Sequence, residues 1–316
     1  MSYYKYSEHL KKRYGVKTYK IPVNVEVSCP NRDGNLGNEG CYYCGETGAV
    51  FENTDHSEDI VTQITSLKDN IAEKYNAEKF IAYFQNFSNT YLPLDELKHH
   101  IKKAASVEDV VEVCFSTRPD CISERYLKEI NEMIEKDNLD INFTLELGLQ
   151  SVNYHTLKKI NRRHTLAEFI DAVLKAHKYD IKVGVHLILN LPGDDQDDVI
   201  ENAKILSALK VDNVKLHALY IRENTQFAEM YKKGEIEICS KEEYIERVLT
   251  FLNYLDPEIA VQRLVGRAPE DQTLFVNWGK HWAQIHQIIL NRMDRLDFEQ
   301  GTKFDYLDGK ALHPFN

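Results

Sequence analysis

The feature that most constrains this chain is a rhythm. Between residues 23 and 220, six stretches rich in branched and aromatic residues alternate with amphipathic helical stretches, and no hairpin signature interrupts them. The strand candidates are VNVEVS (23–28), KFIAYFQ (79–85), VVEVCFS (110–116), INFTLELGLQ (141–150), IKVGVHLILNL (181–191) and VKLHALY (214–220). The intervening helices run over residues 57–75, 95–105, 123–134, 165–177 and 195–209. Asp95, after Pro93, is placed to cap its helix, and Thr165 with Glu168 has capping-box spacing. Strand–helix–strand units of this kind imply parallel strands with right-handed crossovers. Composition alone leaves both an open doubly wound sheet and part of a (β/α) barrel.

After Tyr220 the rhythm changes. Ser240 and Glu243 open a helix to about Leu255, IAVQRLVG (259–266) reads as a strand, and residues 278–293 read as a helix. The expected organisation is a basic arm at 1–22, a main domain at 23–225 with a long loop at 29–44, and a C-terminal α+β extension at 226–316.

With 43% hydrophobic and 28% charged residues the chain reads as globular, and nothing resembles a transmembrane run. The N-terminus has no apolar core, so it is no secretory signal, and a cytoplasmic location is the default. A net charge of -11 argues against avid, unspecific nucleic-acid binding. The charge is uneven, however. Residues 1–22 hold Lys5, Lys11, Lys12, Arg13, Lys17 and Lys20 against Glu8, and residues 158–164 read KKINRRH. A local basic face of this kind suits RNA recognised by shape and equally suits an ordinary solvated surface.

Six cysteines are too few for a disulfide scaffold. Three of them, Cys29, Cys41 and Cys44, lie in a Gly- and Asn-rich loop that cannot form a regular element. Cys41 and Cys44 form a CxxC pair, and Cys29 closes the set from the end of a strand. Three thiolates on a four-iron cluster leave one iron open, unlike the four-cysteine sets of electron-transfer clusters. Structural zinc would require a fourth ligand, such as His56 or a distant cysteine. The residues alone leave iron–sulfur, zinc and unligated thiols open. Cys114 reads as a core residue, Cys121 is ambiguous, and Cys239 has no evident role.

The loop CPNRDGNLGNEGCYYC (29–44) resembles the cluster loop of the Elongator-catalytic-subunit-like branch of the radical S-adenosylmethionine (radical SAM) superfamily, in its bacterial YhcC/YtqA subgroup. FSTRPDC (115–121), LELGLQSVNYHTLKKINRRHT (145–165), HLILNLPGD (186–194), KLHALYIRENTQFAEMYKKGE (215–235) and VQRLVGRAP (261–269) extend the likeness over most of the chain. The first gap in the cysteine motif is longer than the superfamily's common CxxxCxxC.

The resemblance implies a partial six-stranded (β/α) barrel. It implies a [4Fe-4S] cluster on Cys29, Cys41 and Cys44, with S-adenosyl-L-methionine bound at the open iron. It places cofactor contacts at the strand ends: Gln85 and Asn86, where relatives carry a glycine-rich segment, then Ser116, then Glu146 and Gln150, then His186, Asn190 and Gly193. Lys215 and Arg118 are the candidate catalytic or substrate-contacting cations. The implied substrate is the anticodon region of tRNA, with a wobble-uridine 5-carboxymethylaminomethyl group trimmed to 5-aminomethyl. A flavodoxin or ferredoxin would be the reductant, and a downstream tRNA methyltransferase would act on the product. The N-terminal arm, KKINRRH and the C-terminal Arg263, Arg267, Lys280, Arg292 and Arg295 would form a phosphate-binding rim, with the extension as a cover. A small metabolite or peptide as substrate, and a zinc-stabilised binding module without catalysis, are the other readings carried forward.

Overall fold

The computed structural model describes residues 2–45, 58–268 and 272–315. Its strands are β1 (Thr18–Val23), β2 (Lys79–Phe84), β3 (Val110–Thr117), β4 (Asn142–Gln150), β5 (Lys182–Ile188), β6 (Asn213–His217), β7 (Ile221–Arg222), β8 (Ala260–Arg263) and β9 (Thr273–Phe275). Its helices are α1 (Tyr6–Tyr14), α2 (Ile60–Tyr75), α3 (Leu94–Ala105), α4 (Glu124–Lys136), α5 (Tyr154–Lys159), α6 (Leu166–Lys178), α7 (Gln196–Ala208), α8 (Gln226–Lys232), α9 (Lys241–Tyr254) and α10 (Trp282–Arg295). Seven strands form one parallel sheet in the order β1-β2-β3-β4-β5-β6-β8, and β7 pairs antiparallel with β9. The fold is a partial (β/α) barrel. The expected six strands follow chain order, and β8 adds a seventh from beyond residue 225.

Three local expectations are corrected. The first strand lies at Thr18–Val23, inside the segment read as an arm, and 24–28 leave the sheet. The reason is local. The Asn24 N–H donates to Gln63 Oε1 at 2.9 Å, Gln63 Nε2 donates to Asn24 O at 2.8 Å, and Asn86 Nδ2 donates to Val25 O at 2.6 Å. Side chains take the main-chain groups that a strand would use. Asp95 sits in the first turn of α3, where its charge suits the helix dipole, while Pro93 stands at the cap position. The last long helix begins at Trp282, because Trp278 has φ +54 and His281 caps the helix in a box with Gln284. The capping boxes at Thr165/Glu168 and Asp195/Asp198 are present.

The two sides of the sheet have opposite chemistry. Val113, Phe115, Leu145, Leu147, Val183, Val185, Leu187, Val214 and Leu216 are buried in the main apolar core. The alternate residues face into the barrel: Lys20, Tyr83, Cys114, Glu146, His186 and Lys215, joined by Gln262 of β8. Glu146, 2% exposed, is their hub. It pairs with Lys20 and accepts from Gln262, while His186 Nε2 lies 2.7 Å and Lys215 Nζ 3.4 Å from Oε2. Burial alone would raise the Glu146 pKa, but Lys20 and Lys215 hold it well below the carboxylate range. Because Lys20 belongs to β1 and Gln262 to β8, this carboxylate ties together the two edges of the open sheet. Gly184, beside Glu146, leaves the necessary room: a Cβ there would lie 2.5 Å from Asn213 Oδ1 and 3.1 Å from Glu146 Cγ.

Helix α1 stops the barrel at the N-terminal ends of the strands. Leu10, Tyr6 and Tyr14 pack on Ile81, Tyr83 and Cys114, and Tyr14 hydrogen-bonds Glu112. Tyr4 O accepts from the Val261 N–H at 2.8 Å, so the chain start also lines the free edge of β8.

Two stability predictions follow from these buried groups. Glu146→Gln keeps the shape but leaves Lys20 and Lys215 without their anion, a loss of about 3 to 5 kcal/mol. An unchanged urea midpoint would show that the cluster is solvated. Asp194, buried on the turn before α7 with Oδ1 unpartnered, has its carboxyl pushed up to about 6 by burial. The folded state then holds a proton that the unfolded state has released between about pH 4 and 6. Stability falls as pH rises through that window, by up to ~3 kcal/mol. Asp194→Asn should therefore gain on the native protein as pH is raised from 4.5 to 7, and parallel pH profiles of the urea midpoint would contradict this.

Candidate active site

The three N-terminal cysteines are brought together by a loop whose shape is imposed from outside. The N–H groups of Arg32 and Asp33 donate to Cys29 O at 2.8 and 3.3 Å, and the Cys44 N–H donates to Cys41 O at 2.9 Å, which sets the CxxC turn. Between these turns the loop is laced to the KKINRRH segment. Asn31 Nδ2 donates to Asn161 O and Asn161 Nδ2 to Gly40 O, both at 2.7 Å. The Tyr42 N–H reaches Ile160 O at 3.1 Å, and Arg163 Nη1 reaches Leu36 O at 2.7 Å. Arg32 Nη2 closes the loop on Cys44 O and Gly45 O, each at 2.7 Å.

KKINRRH thus departs from its expected part in a phosphate rim. Arg162 is buried, with Nη1 3.5 Å from Cys41 Sγ, Nη2 2.8 Å from Gly148 O and Nε 2.8 Å from His164 Nε2. Only Lys158, Lys159 and Arg163 of its basic residues stay exposed. Gly148 is obligatory here, since a Cβ would lie 2.7 Å from both Arg162 Nη2 and Gln150 Nε2. The β4–β5 register shifts at this point, and Gln150 has φ +75, which turns the strand end toward the cavity.

Cys29, Cys41 and Cys44 line one cavity of about 130 Å³ at the C-terminal ends of the strands. Gln85, Ser116, Arg118, Gly148, Gln150, His186 and His217 contribute to its polar wall, and Tyr43, Phe87, Ile188, Leu219 and Tyr220 to the rest. This is the face where barrels of this class carry their chemistry. Burial alone would raise the Cys41 pKa, but Arg162 and Arg118 hold it below the ordinary thiol value. Burial and the neighbouring Cys41 charge push Cys44 up to about 11. All three are free thiols. Soft thiolate donors backed by arginine and amide N–H groups suit an iron–sulfur cluster. Among the described residues, no three His, Cys, Asp or Glu side chains converge on a point as a single zinc ion requires. His56 lies outside the described residues.

The remaining candidates separate. Arg118 is both structural and available: Nε and Nη2 clamp Asp120 at 2.8 and 2.7 Å, Nη2 also reaches Arg162 O at 2.9 Å, and Nη1 is buried with no partner. Glu146 and Lys215 lie below the cavity wall, engaged with each other. Burial lowers Lys215 to about 8 despite the Glu146 charge. Asn86 is spent on Val25, and Asn190 Oδ1 accepts from the Leu219 N–H at 2.6 Å. Gly193, φ +115, makes a turn against Thr156. None of the five lines the cavity.

The expected N-terminal basic rim is also corrected. Lys20 is inside the barrel, Arg13 lies 3.5 Å from Glu112, and Lys5, Lys11, Lys12 and Lys17 are exposed around α1, at the strand ends remote from the cavity. At the C-terminus, Arg263 is interior and Arg292 pairs with Glu246 at 3.1 Å, while Arg267 stacks 4.3 Å over Trp282. Sequence reasoning missed Arg162, Asn31 and Asn161 as the braces of the cysteine loop. The signal for Asn161 and Arg162 was the polar run that follows α5, where an exposed basic tract looks the same.

The sequence profile described as "Radical SAM superfamily" matches residues 33–206, and "Radical_SAM C-terminal domain" matches 211–295. The chain is 31% identical to YtqA of Bacillus subtilis over 98% of its own length and 95% of that protein's. It is 30% identical to YhcC of Escherichia coli over 96% and 95%. It is also 30% identical to the tRNA uridine(34) acetyltransferase of Methanocaldococcus jannaschii, over 47% of this chain and 26% of that one. Among solved structures, the Elp3 of Methanocaldococcus infernus with its N-terminus deleted has the same fold, with a TM-score of 0.65 at 20% identity, covering 90% of this chain and 64% of that one. The first profile begins four residues past Cys29, which lines the same cavity as Cys41 and Cys44. With the fold, the cavity and these matches in agreement, the chain belongs to the radical SAM superfamily, as an enzyme whose cofactors are a [4Fe-4S] cluster and S-adenosylmethionine.

Proposed function

We propose that this radical SAM enzyme acts on the wobble uridine of tRNA, trimming a 5-carboxymethylaminomethyl group to 5-aminomethyl. The observation that carries the reading is the 30% identity over nearly half the chain to a tRNA uridine(34) acetyltransferase. The match covers only 26% of that protein, which is consistent with a different overall reaction on a shared substrate. A cavity at the barrel mouth suits an unstacked base presented by an anticodon loop. Exposed Lys158 and Lys159 on α5 and Arg163 just after it, with exposed Lys280 and Arg295 and Arg267 on Trp282, supply cations for phosphate contact.

When bound, the cluster and S-adenosylmethionine would supply radical hydrogen-atom abstraction from the substrate. The chain's own part is binding and shielding. Cys29, Cys41 and Cys44 hold the cluster, and Arg162 and Asn31 donate toward Cys41 Sγ. Arg118 Nη1, a buried donor with no protein acceptor, receives the cofactor's carboxylate. Gln85, Ser116 and Gln150 face the same space and orient its polar groups. His186, pulled down to about 4 by burial and by Lys215, stays neutral and donates its Nε2–H to Glu146 Oε2. Tyr43, Phe87, Leu219 and Tyr220 exclude water from the reacting atoms. A flavodoxin or ferredoxin delivers the electron, and a tRNA methyltransferase takes the aminomethyl product. No helix among the described residues is long and apolar enough to cross a membrane; the reading places the enzyme in the cytoplasm, with tRNA.

Cys41→Ala should abolish cluster assembly. Iron and sulfide analysis after anaerobic reconstitution is expected to fall from about four of each per chain to near none, and normal loading would refute the ligand set. Nucleoside mass spectrometry of tRNA from a deletion strain should show 5-carboxymethylaminomethyluridine accumulating at the expense of its aminomethyl products. Unchanged wobble uridines would sink the tRNA reading and favour a small metabolite or peptide.

A further inference from the structure

From Glu146 up to the cavity, the barrel interior carries more positive than negative charge. Lys20, Lys215 and Arg263 stand within it, and Glu146 is the carboxylate that answers them. Lys20 and Lys215 both contact Glu146, whereas Arg263 makes no ion pair with any described carboxylate. Its Nη2 donates to the ring of His217, with Nδ1 at 2.7 Å and Nε2 at 2.8 Å, and its Nε is buried with no partner. Burial lowers the guanidinium pKa, the direction expected of a cation short of counter-charge. A desolvated arginine facing only an imidazole is costly in the free protein, and a bidentate carboxylate would relieve it.

The position of this arginine says which space it serves. His217 lines the cavity beside His186, with ring centroids 5.4 Å apart, and Arg263 stands directly behind it. Arg118, whose charge acts on Cys41, is the orphan donor on the cysteine side. Arg263 lies instead beside Tyr220 and Tyr83 on the β6–β8 side. Arg118, already clamped on Asp120, keeps one open donor there, whereas Arg263 has no carboxylate partner among the described residues, so the two arginines serve different anions.

We propose that Arg263 and His217 form a carboxylate subsite that anchors the acidic end of the substrate and so determines which side chain the enzyme accepts. This takes over the part expected of Lys215, whose ammonium is committed to Glu146 and Tyr83. The inference rests on the tRNA reading only for the identity of the molecule that carries the carboxylate. The excess of buried cation stands without it.

Three measurements on the reconstituted enzyme and its Arg263→Gln variant test the subsite. Formate is the small probe. At equal ionic strength the native protein should melt about 2 °C higher in 50 mM formate than in chloride, and R263Q should melt alike in both. Anticodon stem–loops with and without the carboxymethyl group are the second probe. The native protein should bind the acidic one about tenfold tighter, and R263Q should lose that preference. Affinity for S-adenosylmethionine, by equilibrium dialysis, should be the same in both proteins. No formate effect on the native protein would overturn the subsite. Loss of S-adenosylmethionine affinity in R263Q would overturn the substrate assignment, because the anion would then be the cofactor's. A formate effect that Arg263→Gln removes, with both stem–loops bound equally, would support the subsite and reject the wobble-uridine reading.

Discussion

The structure turns on one buried carboxylate. An incomplete barrel has two unpaired sheet edges, and its interior cannot be sealed by the ring of strands that closes a full (β/α)8 barrel. Glu146 substitutes for that closure. It draws Lys20 from one edge and Gln262 from the other onto the middle strand, with Lys215 and His186 filling its remaining acceptor positions. Low dielectric makes such a network valuable only when every member is satisfied, and the helix that stops the barrel below it excludes water from that end.

This arrangement divides the interior into two functions. Below, charge is matched closely and does structural work. Above, it is left incomplete. Arg118 and Arg263 each keep a buried donor without a protein acceptor at or beside the cavity. Groups of this kind are expected where a ligand supplies the missing partner. The cysteine loop follows the same logic. It has no core of its own and is held by hydrogen bonds from the segment after β4, so one connection positions the thiols, shapes the Gly148 backbone and sets the charge beside Cys41.

Several interior residues read differently once folded. Glu146 and Gln150 lie on the same strand four residues apart, which suggests one shared task. The register shift between them separates the two: Gln150 reaches the cavity and Glu146 stays beneath it. Basic tracts were the least reliable signal. Arg162, Lys20 and Arg263 carry the same letters as surface cations, but they stand inside because a carboxylate, a thiol or an imidazole awaits each of them.

By itself the sequence determined the parallel β/α alternation and the gathering of three cysteines in one loop. Those depend on local periodicity, on capping residues and on spacing within a single loop. Tertiary structure alone decided which cations are paired, which donors are left open to the cavity, and that the N-terminal segment stops the barrel rather than reaching toward a substrate. Those outcomes depend on contacts between residues more than 100 positions apart, such as Lys20 with Glu146. Hydropathy and spacing carry no record of such pairs, because electrostatic energy depends on distance and burial in three dimensions and not on order along the chain.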